Sequence, residues 1–351
     1  MGLTPIHAGS YHIGPGQPVF VIAEAGVNHN GDLELAKRLV DVAAQAGANA
    51  IKFQSFKAEQ VASPQAEKAA YQKQTTSPGE SQLKMLQRLQ LSTTMHYELQ
   101  TYCQRRDILF ISSPFDEASA DLLDELDVPL FKLPSGEITN WPFIEYVARK
   151  GKPLILSTGM SYLSEVDEAV RRIYLAGNRR LVVLHCVSNY PADPGDANLR
   201  AMHTLSTALQ VPVGYSDHTP GLEVSLAAVA LGACVIEKHF TLDKNIPGPD
   251  HQASLEPNEL HALVSGIRTV ERALGNGIKK PVESEADARK LVRRSLVAAC
   301  DIPAQSSIRP GMLKALRPAQ GISPLHLHEI IGRRSRIDIK KGQPLTWSDL
   351  A

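Results

Sequence analysis

The sequence predicts an eight-fold βα barrel followed by a small, mostly β domain. Eight short apolar runs alternate with helical patterns, which is typical of a parallel sheet with crossover helices. Each run ends in polar residues, as barrel strands do where they carry a site. After residue 290 the pattern changes to short β-type runs with Pro and Gly turns. An open doubly wound sheet is the alternative, but no GxGxxG follows the first run.

The first predicted strand, residues 19–23, shows no alternation, which indicates burial on both faces. A helix with apolar residues at helical spacing follows over 32–46, with Asp32 at its start and Gly47 at its end. The other predicted strands are residues 50–53, 108–111, 130–133, 154–156, 181–184, 211–215 and 234–236.

These patterns place a catalytic barrel in residues 1–275, a linker in 276–289 and the small domain in 290–351. Residues 6–19 are expected to form a hairpin at the barrel floor. The long polar stretch 58–80 is expected to be a functional loop. In the small domain, residues 301–313 resemble residues 338–350, which indicates two similar β-turn units.

Composition narrows the class of partner. The 351 residues include 37 basic and 37 acidic side chains, so the formal net charge is zero. Nucleic acid and membrane are therefore not expected as partners. The cysteines, at 103, 186, 234 and 300, contain no CxxC pair. Without an apolar leader or a spanning run, we expect a cytoplasmic protein.

Two histidines follow neighbouring strands, His218 in SDHT and His239 in EKHF. Adjacent strand ends of a barrel bring such side chains within reach of one ion, so we expect them to bind a divalent metal. The other interpretation is that they only donate or accept hydrogen bonds beside the site.

Lysines and serines at strand ends predict an anion site. Lys52 and Lys132 end otherwise apolar runs, where a buried ammonium requires an anionic partner. That partner is either a substrate or a structural glutamate, Glu24 or Glu137, each of which is also a candidate for proton transfer. Hydroxyls and glycine N–H groups suited to phosphate follow at Ser135, Ser157 and Ser216. The Pro-Gly-Pro loop at 247–249 places Asp250 near the same rim.

The strand-end motifs together resemble the sialic acid synthase family over nearly the whole chain. They are IAEAGVNHNGD at 22–32, KFQ at 52–54, KLPSGE at 132–137, STGM at 157–160, GYSDH at 214–218 and EKHF at 237–240. The tail, with LRP at 316–318 and DIKKG at 338–342, resembles the antifreeze-like (β-clip, SAF) domain of that family. The resemblance implies a TIM barrel joined to such a domain.

The resemblance also implies a reaction, the metal-dependent condensation of phosphoenolpyruvate with N-acetylmannosamine to N-acetylneuraminate and phosphate, with C–O cleavage. It implies Mn²⁺, with Mg²⁺ or Co²⁺ as alternatives, bound by His218 and His239. The residues expected to hold phosphoenolpyruvate are Lys52, Lys132, Ser135, Ser157, Ser188 and Ser216. The residues expected to contact the sugar are Glu24, Gln54, Tyr190, Asp250 and Arg317, with Glu24 or Glu137 handling protons. Arg317 would reach the barrel of a neighbouring subunit, so a domain-swapped homodimer is expected.

Three alternatives stay open from the sequence. One is a synthase of a related nonulosonic acid, legionaminic or pseudaminic acid, which would use a 2,4-diacetamido-trideoxy hexose. Another is a non-catalytic sugar- or ice-binding protein, which the charged tail and the rim of Lys, Ser and His disfavour. The third is a metal-dependent aldolase or isomerase on the same barrel.

Overall fold

The computed structural model describes residues 3–77 and 79–351, apart from the side chains of residues 71 and 74. The chain divides into two compact units, the first ending at Gly275 and the second beginning at Asn276. The range expected to be a linker groups with the second unit, and its last residues are helical.

Eight parallel strands form the sheet of the first unit: β3 (Phe20–Gly26), β4 (Ala50–Ser55), β5 (Leu109–Pro114), β6 (Phe131–Leu133), β7 (Leu154–Ser157), β8 (Leu181–Cys186), β9 (Val213–Asp217) and β10 (Val235–His239). Their order in the sheet is β5-β4-β3-β10-β9-β8-β7-β6. Because β5 and β6 at the two ends of this order pack against each other, the sheet is a nearly closed barrel. The predicted fold class is confirmed.

Helices cover the outside of the barrel and bury their apolar faces against it. In the first unit they are α1 (Leu33–Ala46), α2 (Ala58–Val61), α3 (Ala70–Thr75), α4 (Gln82–Leu89), α5 (Thr93–Arg105), α6 (Glu117–Glu125), α7 (Trp141–Arg149), α8 (Leu163–Leu175), α9 (Ala201–Leu209), α10 (Glu223–Ala230) and α11 (Pro257–Leu274). The stretch expected as a long loop therefore holds α2 and α3. No helix of the described residues is long and apolar enough to cross a bilayer.

Helix α1 begins and ends where the sequence predicts. The Asp32 carboxylate accepts hydrogen bonds from the N–H groups of Glu34 and Leu35. Gly47 ends the helix with φ of 80°, in the left-handed region that favours glycine. Both caps satisfy backbone groups that the helix itself leaves without partners.

The floor of the barrel is closed by the predicted hairpin, in which β1 (Ile6–Ala8) pairs antiparallel with β2 (Tyr11–Ile13). Ile6 and Ile13 are buried with Ile22, Ile111 and other inward residues at the amino ends of the strands. This apolar plug leaves the opposite, carboxyl end of the barrel for polar side chains.

The second unit contains the exposed helix α12 (Ala286–Val292), a pair of antiparallel strands, β11 (Ser295–Ala298) and β12 (Leu313–Leu316), and the short helix α13 (Leu327–Ile330). The predicted internal repeat appears as reciprocal pairing. Ile302 and Ile339 exchange two backbone hydrogen bonds, each of 2.8 Å. Both isoleucines belong to a separate buried apolar cluster of this unit.

Candidate active site

The carboxyl ends of the barrel strands surround a cavity of about 260 Å³, which we call the central cavity. The sequence-predicted residues that line it are Glu24, Lys52, Gln54, Lys132, Ser135, Ser157, Ser188, Tyr190, Ser216, His218 and His239. Side chains from all around the barrel therefore converge on one space.

Three predicted residues lie elsewhere. Glu137 is half-buried in a 3₁₀ turn after β6, where it accepts a hydrogen bond from Asn140 at 2.7 Å. Asp250 is buried in the loop after β10 but is not part of the cavity lining. Arg317 is exposed and belongs to the second unit, so its expected contact with a neighbouring subunit stays a prediction.

Seven further residues line the cavity, among them Glu237 and Ser113, to which the sequence patterns assign no role. The signal that could have found Glu237 is the two-residue alternation of a strand. His239 faces the cavity, so Glu237, two residues earlier, faces it as well. On β5, Ser113 lines the cavity, whereas Ser112 points the other way and lies 2.7 Å from Ser55.

Two buried lysines and two buried glutamates form an ionic cluster in the cavity. Lys52 Nζ lies 2.8 Å from Glu24 Oε2, and Lys132 Nζ lies 3.1 Å from Glu237 Oε1. The same Glu237 oxygen lies 3.8 Å from Lys52 Nζ and accepts a hydrogen bond of 3.0 Å from Ser216. All four charged side chains are at most 5% exposed, so their charges are barely screened by water.

The two glutamates differ in proton affinity. Burial, which outweighs the attraction of Lys52, raises the pKa of Glu24 to about 7. Burial also opposes ionisation of Glu237, yet the charges of Lys132 and Lys52 lower its pKa to about 2. At neutral pH Glu237 is therefore a carboxylate, whereas Glu24 holds a proton much more readily, which suits a group that exchanges protons.

The two histidines lie side by side with ring centroids 5.5 Å apart, and the Tyr190 ring lies 4.3 Å from the His218 ring at an interplanar angle of 50°. Burial lowers the pKa of His218 to about 4 and that of His239 well below its ordinary value. Both rings are therefore neutral, as a metal ligand must be. His218 Nδ1 lies 2.7 Å from the Val187 carbonyl, which fixes this nitrogen as the donor and leaves Nε2 as a free lone pair.

The histidine pair fits a metal that keeps open positions. His239 Nδ1 is buried without a hydrogen-bond partner among the described residues, although a buried polar nitrogen is normally paired. Over residues 3–77 and 79–351, no third His, Cys, Asp or Glu completes a cluster of protein ligands. Two imidazoles would leave the remaining positions to water and substrate oxygens.

Small residues shape the part of the cavity wall that follows β7 and β8. The Gly159 N–H donates to Ser135 Oγ at 2.8 Å. A Cβ atom at Gly159 would lie 2.1 Å from Ser188 Oγ and 3.0 Å from Cys186 Sγ, so only glycine fits there. The Oγ of Ser157, which also lines the cavity, is buried without a partner among the described residues. Such an atom is available to a ligand.

Fold and site define a barrel enzyme in which a cationic cavity adjoins a pair of neutral imidazoles. The NeuB family model matches residues 39–279, and the SAF domain model matches residues 293–351. The chain belongs to the NeuB family, the nonulosonic acid synthases, and carries a SAF domain at its carboxyl end.

Relatives and solved structures match most of the chain. The chain is 50% identical to an N,N'-diacetyllegionaminic acid synthase of Campylobacter jejuni over 92% of this chain and 97% of that protein. It is 48% identical to the N,N'-diacetyllegionaminic acid synthase of Legionella pneumophila over 96% of both. The solved N-acetylneuraminic acid synthetase of Leptospira borgpetersenii superposes with a TM-score of 0.72 at 37% identity, over 82% of this chain and 95% of that one.

Proposed function

We propose that this protein condenses phosphoenolpyruvate with a 2,4-diacetamido-trideoxy hexose to form a legionaminic-type nonulosonic acid and phosphate. The observation that carries the choice of sugar is the identity of 50% and 48% to two N,N'-diacetyllegionaminic acid synthases. Identity to the N-acetylneuraminic acid synthetase is 37%. N-Acetylmannosamine, the acceptor expected first from the sequence, is therefore the second candidate.

The central cavity supports binding of a small phosphorylated acid. Lys52 and Lys132 supply two ammonium groups, and Glu237 neutralises only part of their charge when Glu24 is protonated. A phosphate or carboxylate entering the cavity would replace the missing negative charge in a poorly screened environment. Ser135, Ser157, Ser188 and Ser216 add hydroxyl donors around the same space.

The histidine pair would hold the divalent metal, with Mn²⁺ as our first choice. When bound there, the ion would polarise the aldehyde oxygen of the open-chain sugar. His218 and His239 supply neutral nitrogens, and the hydrogen bond from His218 to Val187 orients its ring.

The reaction requires one carbon–carbon bond and the addition of water. C3 of phosphoenolpyruvate bonds to the aldehyde carbon, and the aldehyde oxygen takes a proton. The oxygen of a water molecule bonds to C2 and releases a proton, and phosphate leaves with cleavage of the C2–O bond. Glu24 is the better placed proton carrier, because it lines the cavity with a pKa of about 7, whereas Glu137 lies outside the lining.

The test compares phosphate release from phosphoenolpyruvate with each sugar in turn, using Mn²⁺-loaded protein. We expect kcat/KM for the diacetamido sugar to exceed that for N-acetylmannosamine by more than about tenfold, since even one altered substituent in a fitted pocket has about this effect and the two sugars differ at two positions. ¹⁸O in the bridging position of phosphoenolpyruvate should appear in the phosphate. Equal or reversed preference would contradict the proposed sugar, and label retained in the sugar acid would contradict C–O cleavage.

His239→Ala is the matched negative control for this assay. It should abolish release with both sugars, because it removes a metal ligand while leaving the lysines in place. Turnover that persists in metal-stripped His239→Ala protein would remove the histidine pair from the proposal.

A further inference from the structure

Behind the histidine pair, on the outer face of the barrel, lies a second buried ion pair. Lys238 Nζ is 2.6 Å from Asp217 Oδ2, and the two side chains are 3% and 0% exposed. Both residues alternate with the cavity-facing ones, so neither lines the central cavity. Asp217 and Lys238 are also direct partners in the β9–β10 register.

The hydrogen bonds of this ion pair involve the residues on both sides of His218 in the sequence. Lys238 Nζ donates to the Asp217 carboxylate and, at 2.7 Å, to the Thr219 carbonyl. Asp217 and Thr219 are the residues immediately before and after His218. Lys238 itself immediately precedes His239. The Lys238 ammonium therefore connects the residues on both sides of His218 with the residue that immediately precedes His239.

The carboxylate of Asp217 is fully engaged. Its Oδ1 accepts from the N–H and the hydroxyl of Thr219, at 2.9 and 2.8 Å. Its Oδ2 accepts from Ser225 Oγ at 2.5 Å in addition to Lys238. Ser225 belongs to α10, so the network also anchors both strand ends to a packed helix.

Stability alone does not account for such a pair. Desolvating two charges costs about as much as their attraction returns, and apolar replacements of buried pairs are often neutral or stabilising. A fully hydrogen-bonded ion pair does, however, restrict its two side chains to a single geometry. Groups that orient metal ligands from behind contribute about 10- to 100-fold to metal affinity in other proteins.

We propose that Asp217 and Lys238 are positioning residues that hold His218 and His239 at the spacing required to share one divalent ion. The inference rests on the metal site of the proposed function. It assigns the pair no contact with substrate. The ion pair acts by keeping the ends of β9 and β10 from shifting relative to each other.

The test is Mn²⁺ affinity of metal-stripped protein without substrates, measured from the electron paramagnetic resonance signal of free Mn²⁺. The variant is Asp217→Asn/Lys238→Met, which preserves net charge and leaves no unpaired buried ion. We expect its Mn²⁺ dissociation constant to rise by about 10- to 100-fold. Its unfolding temperature in EDTA should stay close to native. The Mn²⁺ concentration for half-maximal activity should rise by the same factor.

The matched control removes another ion pair, Asp121 with Lys150, whose charged atoms are 2.6 Å apart on the helical layer away from the histidines. Asp121→Asn/Lys150→Met should bind Mn²⁺ as native protein does. Ser225→Ala, which removes one hydrogen bond to Asp217 and no charge, should weaken Mn²⁺ binding several-fold. It keeps the proposal testable if the double variant does not fold.

The outcomes separate the two proposals. If native protein binds no Mn²⁺, or if His218→Ala leaves Mn²⁺ binding intact, both the proposed metal site and the proposed positioning role are contradicted. If His218→Ala removes binding but the folded variants at Asp217, Lys238 and Ser225 bind within twofold of native, only the positioning role is overturned.

Discussion

One oxygen of Glu237 holds two ammonium groups in place, lying 3.1 Å from Lys132 Nζ and 3.8 Å from Lys52 Nζ. Its other oxygen, Oε2, is buried without a partner among the described residues. Glu237 thus sets the net charge that an entering anion encounters. It also links the β10 strand end, which carries His239, to the two buried lysines.

Glu237→Gln should tighten the binding of inorganic phosphate and destabilise the anion-free protein. Removal of the carboxylate leaves an uncompensated buried charge, which costs about 3–5 kcal/mol. Thermal unfolding with and without phosphate measures both effects. Glu259→Gln, at the exposed pair with Lys244, is the control and should change neither. Weaker phosphate binding in Glu237→Gln would contradict the charge argument.

Acid should destabilise the barrel through His29. Burial, with a smaller contribution from His96, lowers the pKa of His29 from 6.5 to about 3. Above pH 6.5 the ring is neutral in the folded and the unfolded chain. Between pH 6.5 and 3 only the unfolded chain takes up the proton, so the free energy of unfolding falls.

His29→Asn should reduce that loss, because the Asn side chain does not titrate. Asn can still accept the 2.9 Å hydrogen bond from the Gly31 N–H. We expect the fall in unfolding free energy between pH 7 and 5 to be smaller by about 2 kcal/mol, the energy of the protonation difference. Urea unfolding at the two pH values measures it. In the control variant His203→Asn, at an exposed histidine, the unfolding free energy should fall between pH 7 and 5 by as much as in native protein. An unchanged slope in His29→Asn would show that His29 is not the group responsible.

Arg317→Ala should raise the KM for the sugar and leave the KM for phosphoenolpyruvate unchanged, if Arg317 reaches a neighbouring subunit as the family resemblance implies. Arg309→Ala, at another exposed arginine of the second unit, is the control. Mixing Arg317→Ala with His218→Ala protein after subunit exchange should restore sugar affinity, since a mixed dimer contains one complete site. Mixtures no more active than the separate variants would refute the swapped arginine.

The two turns of the second unit should contribute equally to its stability. Asp301 Oδ1 accepts from the Lys341 N–H at 2.8 Å, and Asp338 Oδ1 accepts from the Ala304 N–H at 2.7 Å. Asp301→Ala and Asp338→Ala should each lower the free energy of unfolding by about 1–2 kcal/mol, as the loss of a capping carboxylate does. Chemical denaturation of the full chain measures the cost. A large effect at only one position would show that the two equivalent hydrogen bonds contribute unequally to the stability of the second unit.

Local patterns predicted much of the barrel. The eight strands, the caps Asp32 and Gly47, and the hairpin at the floor all follow from short-range preferences and burial periodicity. Seven of the eight strands extend further toward their carboxyl ends than predicted, for instance to Ser55 on β4 and His239 on β10, whereas β6 ends at Leu133 as predicted. Most of those extra residues are polar, and polar residues carry no strand signal even where neighbouring strands pair with them.

The sequence by itself determined which residues end the strands and hence most of the cavity lining, because the carboxyl ends of parallel barrel strands must meet. It did not determine which neighbours of those residues face inward. Only the tertiary structure places Glu237 between Lys52 and Lys132, and Lys238 outside with Asp217. The side-chain direction depends on strand register, and the pairing of charges depends on which strands adjoin. Both are properties of the closed sheet and not of any single segment.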